Sequence, residues 1–317
     1  MLELEARPEP SRGWSLASPL LALALTVLIG VALFVALGKD PLRGLEMFFY
    51  EPLKSPRALA ELSIKAGPLL LIGLGLSLCF RSNVWNIGAE GQFILGSIGA
   101  TGVALLATPQ SSEWLFVAVL LGGTLAGMVW AALTALLRDR FNASEILVSL
   151  MLVYVAEQLL SYLVHGPWKD PQGYNFPQTV TFLSQARVPR LAEGVRANWS
   201  VPIALGSAVL FWLLMHKTLA GYKLEVGGLA PRAARYAGFS SRAALWSALL
   251  LSGAMAGLAG ALEVAGPVGQ LTTQVPLGYG FAAIIVAFVG RLDPLGVTLS
   301  SLLMSMFYIG GELSQSR

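Results

Sequence analysis

The chain alternates between long apolar runs and short polar joints. The runs cover residues 19–37, 62–80, 87–107, 114–137, 146–164, 201–216, 243–265, 279–290 and 295–309. Most approach the roughly 20 residues that an α-helix needs to cross the hydrocarbon core of a bilayer. The run at 279–290 is short and follows Pro276-Leu277-Gly278, which marks it as a broken or tilted segment. The pattern predicts an all-α fold, a polytopic membrane bundle of about 9–10 transmembrane helices. A leader, residues 1–18, would precede a single membrane domain over 19–317 with its largest cytoplasmic joint at 217–242. The first run exceeds the roughly 7–15 apolar residues of a signal-peptide core, so it is read as a retained span.

Composition agrees. Hydrophobic residues make up 55% of the chain and charged ones only 12%, about half the charged fraction of a soluble domain. Too few polar groups remain to cover a water-facing surface, so lipid must be the solvent for much of the chain. The 34 glycines suit close helix–helix approach, and the eight Trp suit interfacial anchoring. The net charge of +3 reflects basic loops rather than a nucleic-acid partner. With the N-terminus inside, cytoplasmic joints carry Arg81, Arg138, Arg140, Lys217, Lys223, Arg232, Arg235, Arg242 and Arg291. Lys39, Arg43, Lys54 and Arg57 fall outside, interleaved with Asp40, Glu46 and Glu51 in a stretch that can lie along the membrane surface. An odd span count leaves the C-terminus outside, which implies either a missing final span or one segment that does not cross.

Two polar stretches interrupt the apolar background. The first runs from Phe80-Arg81 through Asn83, Asn86 and Gly88 to Glu90-Gly91-Gln92. A carboxylate and amides near a span are costly unless they face a bundle interior or a water-filled path. If the stretch is helical, Asn86 and Glu90 share a face and Gln92 points elsewhere. Two readings stand side by side. Asn83, Asn86, Glu90 and Gln92 line a substrate pathway or gate, or Asn86 merely caps the next helix with Glu90 in its first turn. The second stretch, 227–238, places Pro231 and Gly238 as helix punctuation around Arg232, Ala233, Ala234 and Arg235. It is either a docking stub for a partner or a connecting loop helix.

Weaker signals are Glu145, Glu263 and Lys65 in or beside spans, the first two expected to snorkel. Glu157, next to Gln158, lies deeper in its span. His165 and His216 have no companion ligand at metal spacing, and the single cysteine, Cys79, reads as a small buried hydrophobe. No G-x-x-x-x-G-K-[ST] motif occurs, so any ATP hydrolysis by that route belongs to a partner.

The phrase Asn86-x-Gly88-x-Glu90-Gly91-Gln92 resembles a signature of bacterial ABC importer permeases of the branched-chain amino acid and simple-sugar family, in its nucleoside-type branch. Collinear matches follow at 142–152, at Ala233-Ala234-Arg235-Tyr236-Ala237-Gly238, at 252–261, at Gly278-Tyr279-Gly280-Phe281 and at Gly290-Arg291-x-x-Pro294-Leu295-Gly296. The resemblance implies a fold similar to the vitamin B12 importer permease, with a tenth span that this chain lacks. It further implies a second permease subunit, a partner ABC ATPase that uses ATP and Mg, and an extracytoplasmic substrate-binding protein. The chain itself would bind no cofactor and sit in the bacterial inner membrane. Pro231, Arg232, Ala233, Ala234, Arg235 and Gly238 would couple to the ATPase, and Tyr279 and Phe281 would border the pathway. Two positions depart from the branch: Val153 stands where an Asn is usual, and Ala282 where an acidic residue is usual. The expected cargo is a nucleoside or related purine compound; the alternatives are a simple sugar, or a stand-alone secondary transporter or channel.

Overall fold

The computed structural model describes residues 12–191, 194 and 196–316. The first part of the expected leader, with Arg7, lies outside the described residues. Twelve α-helices follow in order: α1 Arg12–Ala36, α2 Pro41–Leu45, α3 Pro56–Arg81, α4 Ala89–Ala104, α5 Leu115–Phe141 and α6 Glu145–His165. Then come α7 Ser200–Lys217, α8 Leu219–Leu229, α9 Pro231–Tyr236, α10 Ser241–Glu263, α11 Tyr279–Val289 and α12 Pro294–Ser316. The described residues hold no β-strand, only two isolated bridges, so the all-α expectation holds.

Every apolar run became a helix, but among the described residues six helices are both long and apolar enough to span a membrane. These are Pro56–Arg81, Leu115–Phe141, Glu145–His165, Ser200–Lys217, Ser241–Val268 and Pro294–Gln315, while Leu20–Ala36 and Tyr279–Val289 are shorter apolar helices. The run expected at 87–107 is a helix of only 16 residues. Its first residues are non-helical because the chain between Asn83 and Gly88 is held by side chains rather than by helix hydrogen bonds. The last run continues beyond 309, and α12 reaches Ser316.

The chain forms two compact units. The first joins residues up to Ser55 with those from Met306 onward. In it, Asp40 caps α2 by accepting from the Leu42 N–H at 2.9 Å, and the chain continues into a π-helical turn, Glu46–Tyr50. The rings of Phe48 and Phe49 pack on Phe307 with centroids 6.4 and 6.2 Å away. The segment expected to lie along the membrane surface is thus a series of short helical turns.

The second unit, Pro56–Ser305, holds the main bundle. The α3 and α10 helices are buried along most of their length, whereas α5, α6 and α7 leave large apolar side chains exposed. Small residues permit the tightest crossing. A Cβ on Gly257 would meet the Gly123 carbonyl and the backbone of Gly127, and one on Gly96 would meet the backbone of Gly257. Helices α4, α5 and α10 therefore touch backbone to backbone, as small residues allow in membrane bundles.

Polar joints of this unit collect at two ends. At one, Arg81 reaches Glu225 at 4.0 Å and Asp293 at 3.8 Å, and His216 reaches Asp293 at 3.3 Å. There too, Arg138 pairs with Glu145 at 3.2 Å and Arg242 with Asp139 at 2.7 Å. At the other end, the 178–188 segment pairs with 265–272: Thr179 N–H donates to the Leu271 carbonyl at 3.0 Å and Val188 N–H to that of Ala265 at 2.8 Å. Gln185 joins Pro109 to the same end. The separation matches the alternation of joints read from loop charge.

Candidate functional site

Between these ends the bundle contains two broken helices whose N-termini meet. The α4 helix begins after Gly88, and α11 begins after Gly278, which holds φ 76° at the N-cap. That positive φ suits a glycine, the residue without a Cβ to clash. Glu90, in the first turn of α4 and 2% exposed, sends its carboxylate across to α11. One oxygen accepts from the Gly278 N–H at 3.0 Å and the other from the Gly280 N–H. Glu90 therefore caps the opposing helix rather than serving only its own. The first N–H groups of a helix lack intrahelical partners, and a carboxylate there also meets the positive end of the helix dipole. A Cβ on Gly280 would overlap the Glu90 backbone, so the contact demands glycine at that position.

Beside this joint lies a second polar knot. Asn86 is fully buried; its Nδ2 donates to Gln92 Oε1 at 2.9 Å and to Ser252 Oγ at 3.0 Å. Its Oδ1 accepts from Gln92 Nε2 at 3.1 Å and from the Gly88 N–H at 3.2 Å. Two donors and two acceptor sites are what an amide side chain has, so Asn86 has no polar capacity left for a solute. The expectation that Asn86 and Glu90 share a helical face is corrected here. Asn86 precedes the helix, in a stretch without regular structure, and its partner is Gln92. The Ser149 hydroxyl holds this stretch by accepting from the Ile87 N–H at 3.2 Å.

The other expected pathway residues separate. Asn83 is exposed, adopts φ 55°, and lines a cavity of about 850 Å³ at the end bearing α8 and α9. Tyr279 is 1% exposed and packs edge-on against Phe93, with ring centroids 5.8 Å apart, so it is core rather than pathway. Phe281 is 40% exposed and faces a crevice of about 330 Å³ with Glu90, Glu157, Leu160, Ser161, Thr273, Pro276 and Gly278. The crevice thus retains Glu90 and Phe281 from the sequence reading and adds Glu157, Ser161 and Thr273. The departures at Val153 and Ala282 fall outside its lining, at buried positions.

Glu145 and Glu263 do not snorkel. Glu145 is ion-paired with Arg138, and Glu263 is buried beside α3 residues Ile64, Pro68 and Leu71. Cys79 is buried and donates to the Ala248 carbonyl at 3.2 Å.

The expected coupling residues form one protruding feature. Pro231 opens α9, whose only buried residue is Ala234. The Phe239 N–H donates to the Ala234 carbonyl at 2.9 Å and the Gly238 N–H to that of Arg235 at 3.0 Å, closing the helix around Gly238 at φ 79°. This pair of bonds is the Schellman arrangement. Arg232, Arg235 and Tyr236 all point outward, Tyr236 being 97% exposed.

The chain has relatives among ABC transporter permeases. The chain is 35% identical to a glucose ABC transporter permease of Haloferax volcanii, over 98% of its own length and 84% of that protein. It is 28% identical to a guanosine ABC transporter permease of Bacillus subtilis, covering 92% of this chain and 84% of the relative. A nucleoside ABC transporter permease of Lactococcus lactis is 27% identical, with 92% and 82% covered. No solved structure matches. Residues 58–316, which contain both broken helices, the crevice and the exposed stub, match the family of branched-chain amino acid transport system permease components. The chain belongs to that family, as a multi-pass membrane permease component.

Proposed function

We propose that the chain is a transmembrane subunit of an ATP-driven importer whose cargo is a nucleoside or a related purine compound. The transport reading rests on one observation above all: two half-helices meet at Glu90 beside an open crevice. In membrane proteins, interrupted helices are tolerated where they are buried in protein or line a cavity. The cargo reading draws on the relatives named for guanosine and nucleosides.

In this reading, the exposed α9 stub docks on a partner ABC ATPase, which binds ATP and Mg. A second permease subunit completes the pathway, and an extracytoplasmic binding protein delivers the solute. The N-terminus and the 217–242 joint face the cytoplasm. ATP binding moves α9 as a rigid body. The Glu90 joint, which ties α4 to α11, keeps the two half-helices moving together while the crevice changes sides. Phe281 borders the route.

A second reading, import of a simple sugar, is favoured by the glucose permease relative at 35% identity. Reconstitution with the ATPase and binding protein encoded at the same locus separates the two. ATP-dependent uptake of guanosine with glucose excluded supports the first reading, and the reverse result supports the second. Capture of the ATPase by the wild type but not by an Ala234→Arg, Gly238→Leu double variant is expected. Equal capture by both would sink the docking assignment.

A further inference from the structure

The residue of the crevice without an assigned task is Glu157. It sits in the second half of α6, about 18 Å along the axis from Glu145 at the helix rise of roughly 1.5 Å per residue. It is half-buried and lines the crevice. The neighbouring carboxylate, Glu90, is occupied by the N–H groups of Gly278 and Gly280. No hydrogen bond or ion pair from a described residue reaches Glu157. A carboxylate inside a span without a partner is expensive, and such residues mark pathways.

Glu157 and Ser161 flank the buried stripe of Val153, Ala156, Leu160 and Val164 on α6, with Tyr154, Gln158 and His165 further round the same flank. Tyr154 is 54% exposed, and Gln158 and His165 are exposed as well. Ser161 and His165 are hydrogen-bonded within the helix, which leaves Glu157 as the carboxylate facing the open crevice.

We propose that this crevice is a subsite for the vicinal hydroxyls of the transported solute, with Glu157 as their acceptor. The inference rests on the transport reading above. Two oxygens of one carboxylate accept from adjacent hydroxyls on a sugar ring, in the strong charge-assisted class of hydrogen bond. The half-exposed ring of Phe281 offers an apolar face to the C–H side of the same sugar. Thr273, on the loop before α11, adds a further hydroxyl to the lining. The crevice volume of about 330 Å³ lies within the range of small-molecule sites. Ribose and hexose share the diol, so the subsite reads the sugar, not the base.

The test compares uptake by the reconstituted complex carrying wild type, Glu157→Gln or Glu157→Asp. The solutes are guanosine against 2′,3′-dideoxyguanosine, and glucose against 2,3-dideoxyglucose, the second member of each pair having no vicinal hydroxyls. Wild type is expected to favour the diol-bearing member of whichever pair it imports by about tenfold or more, the worth of charged hydrogen bonds. Glu157→Gln should import both members at similar, lower affinity, with Glu157→Asp in between and assembly with the ATPase unchanged. A wild type that imports glucose but no guanosine removes the purine reading and leaves the diol subsite to be judged on the glucose pair. A wild type that imports neither removes both. Undiminished discrimination in Glu157→Gln overturns the subsite alone. So does an equal loss for both members of a pair, or failure of the Gln variant to assemble, since each assigns Glu157 to packing.

Discussion

Gln92 and Asn86 exchange two hydrogen bonds inside a packed bundle, and Ser252 takes a third from Asn86. Replacing Gln92 with Leu keeps the volume but leaves Asn86 with an unmet donor and acceptor. Buried groups stranded in this way cost about 1–3 kcal/mol. The purified Gln92→Leu protein should therefore unfold at a clearly lower temperature in detergent than wild type. Asn83→Gly, at an exposed position with φ 55°, should lie within a degree or two of wild type. Equal midpoints for Gln92→Leu and wild type would show that the amide pair contributes nothing. At this scale the sequence marks the polar residues that form the joint but misjudges their geometry. Helical phase places Asn86 over Glu90, but local propensity cannot reveal that Ser149 and Ser252, distant in the chain, hold Ile87 and Asn86 ahead of the helix. The capping of α11 by Glu90 spans 188 positions and leaves no local signal.

Apolar runs locate the helices well because burial in lipid and burial in protein make the same demand on side chains. They do not distinguish the two environments. Thus α3, packed inside the bundle, and α6, largely open along its length, read alike. The glycines carry more information, once the contacts are known. Gly257 faces the Gly123 carbonyl and the Gly127 Cα, with a built Cβ only 2.5 and 2.9 Å from them, while Gly206 on α7 has nothing within 4 Å. Gly257→Ala must push α10 away from α5 and is expected to cost about 1–3 kcal/mol, the range for an overpacked core. Gly206→Ala should be neutral or stabilising by up to about 1 kcal/mol, since Ala restrains the unfolded chain. Thermal midpoints of the two variants in one detergent check the contrast, and a reversed order would refute this account of the crossing. The α9 stub is legible in sequence, because Pro231 and Gly238 punctuate it by local backbone rules alone. Space is not what makes Gly238 necessary: no atom lies within 4 Å of a built Cβ, so a Leu there strains the backbone at φ 79° rather than clashing.

On the scale of the whole second unit, the joints sort into two groups, as the alternation of apolar runs anticipates. Arg81, Arg138 and Arg242 meet Asp293, Glu145 and Asp139 at one end, while the opposite end is stitched by backbone bonds between 178–188 and 265–272. Cytoplasmic joints in membrane proteins are enriched in Lys and Arg, so the proposed orientation predicts that the basic end, which carries α9, faces the cytoplasm. The chain offers a clean way to check this. Its one cysteine, Cys79, is buried and should not react with a membrane-impermeant maleimide in intact cells. Tyr174, in the loop after α6, is 94% exposed, and Tyr236, on α9, is 97% exposed. Replacing each singly with Cys gives two reporters of matched accessibility at opposite ends. Tyr174→Cys should label in intact cells and Tyr236→Cys only after the membrane is opened. The reverse pattern would invert the bundle and place α9 out of reach of any cytoplasmic ATPase. Labelling of both in intact cells would break the alternation of joints on which the transport reading depends.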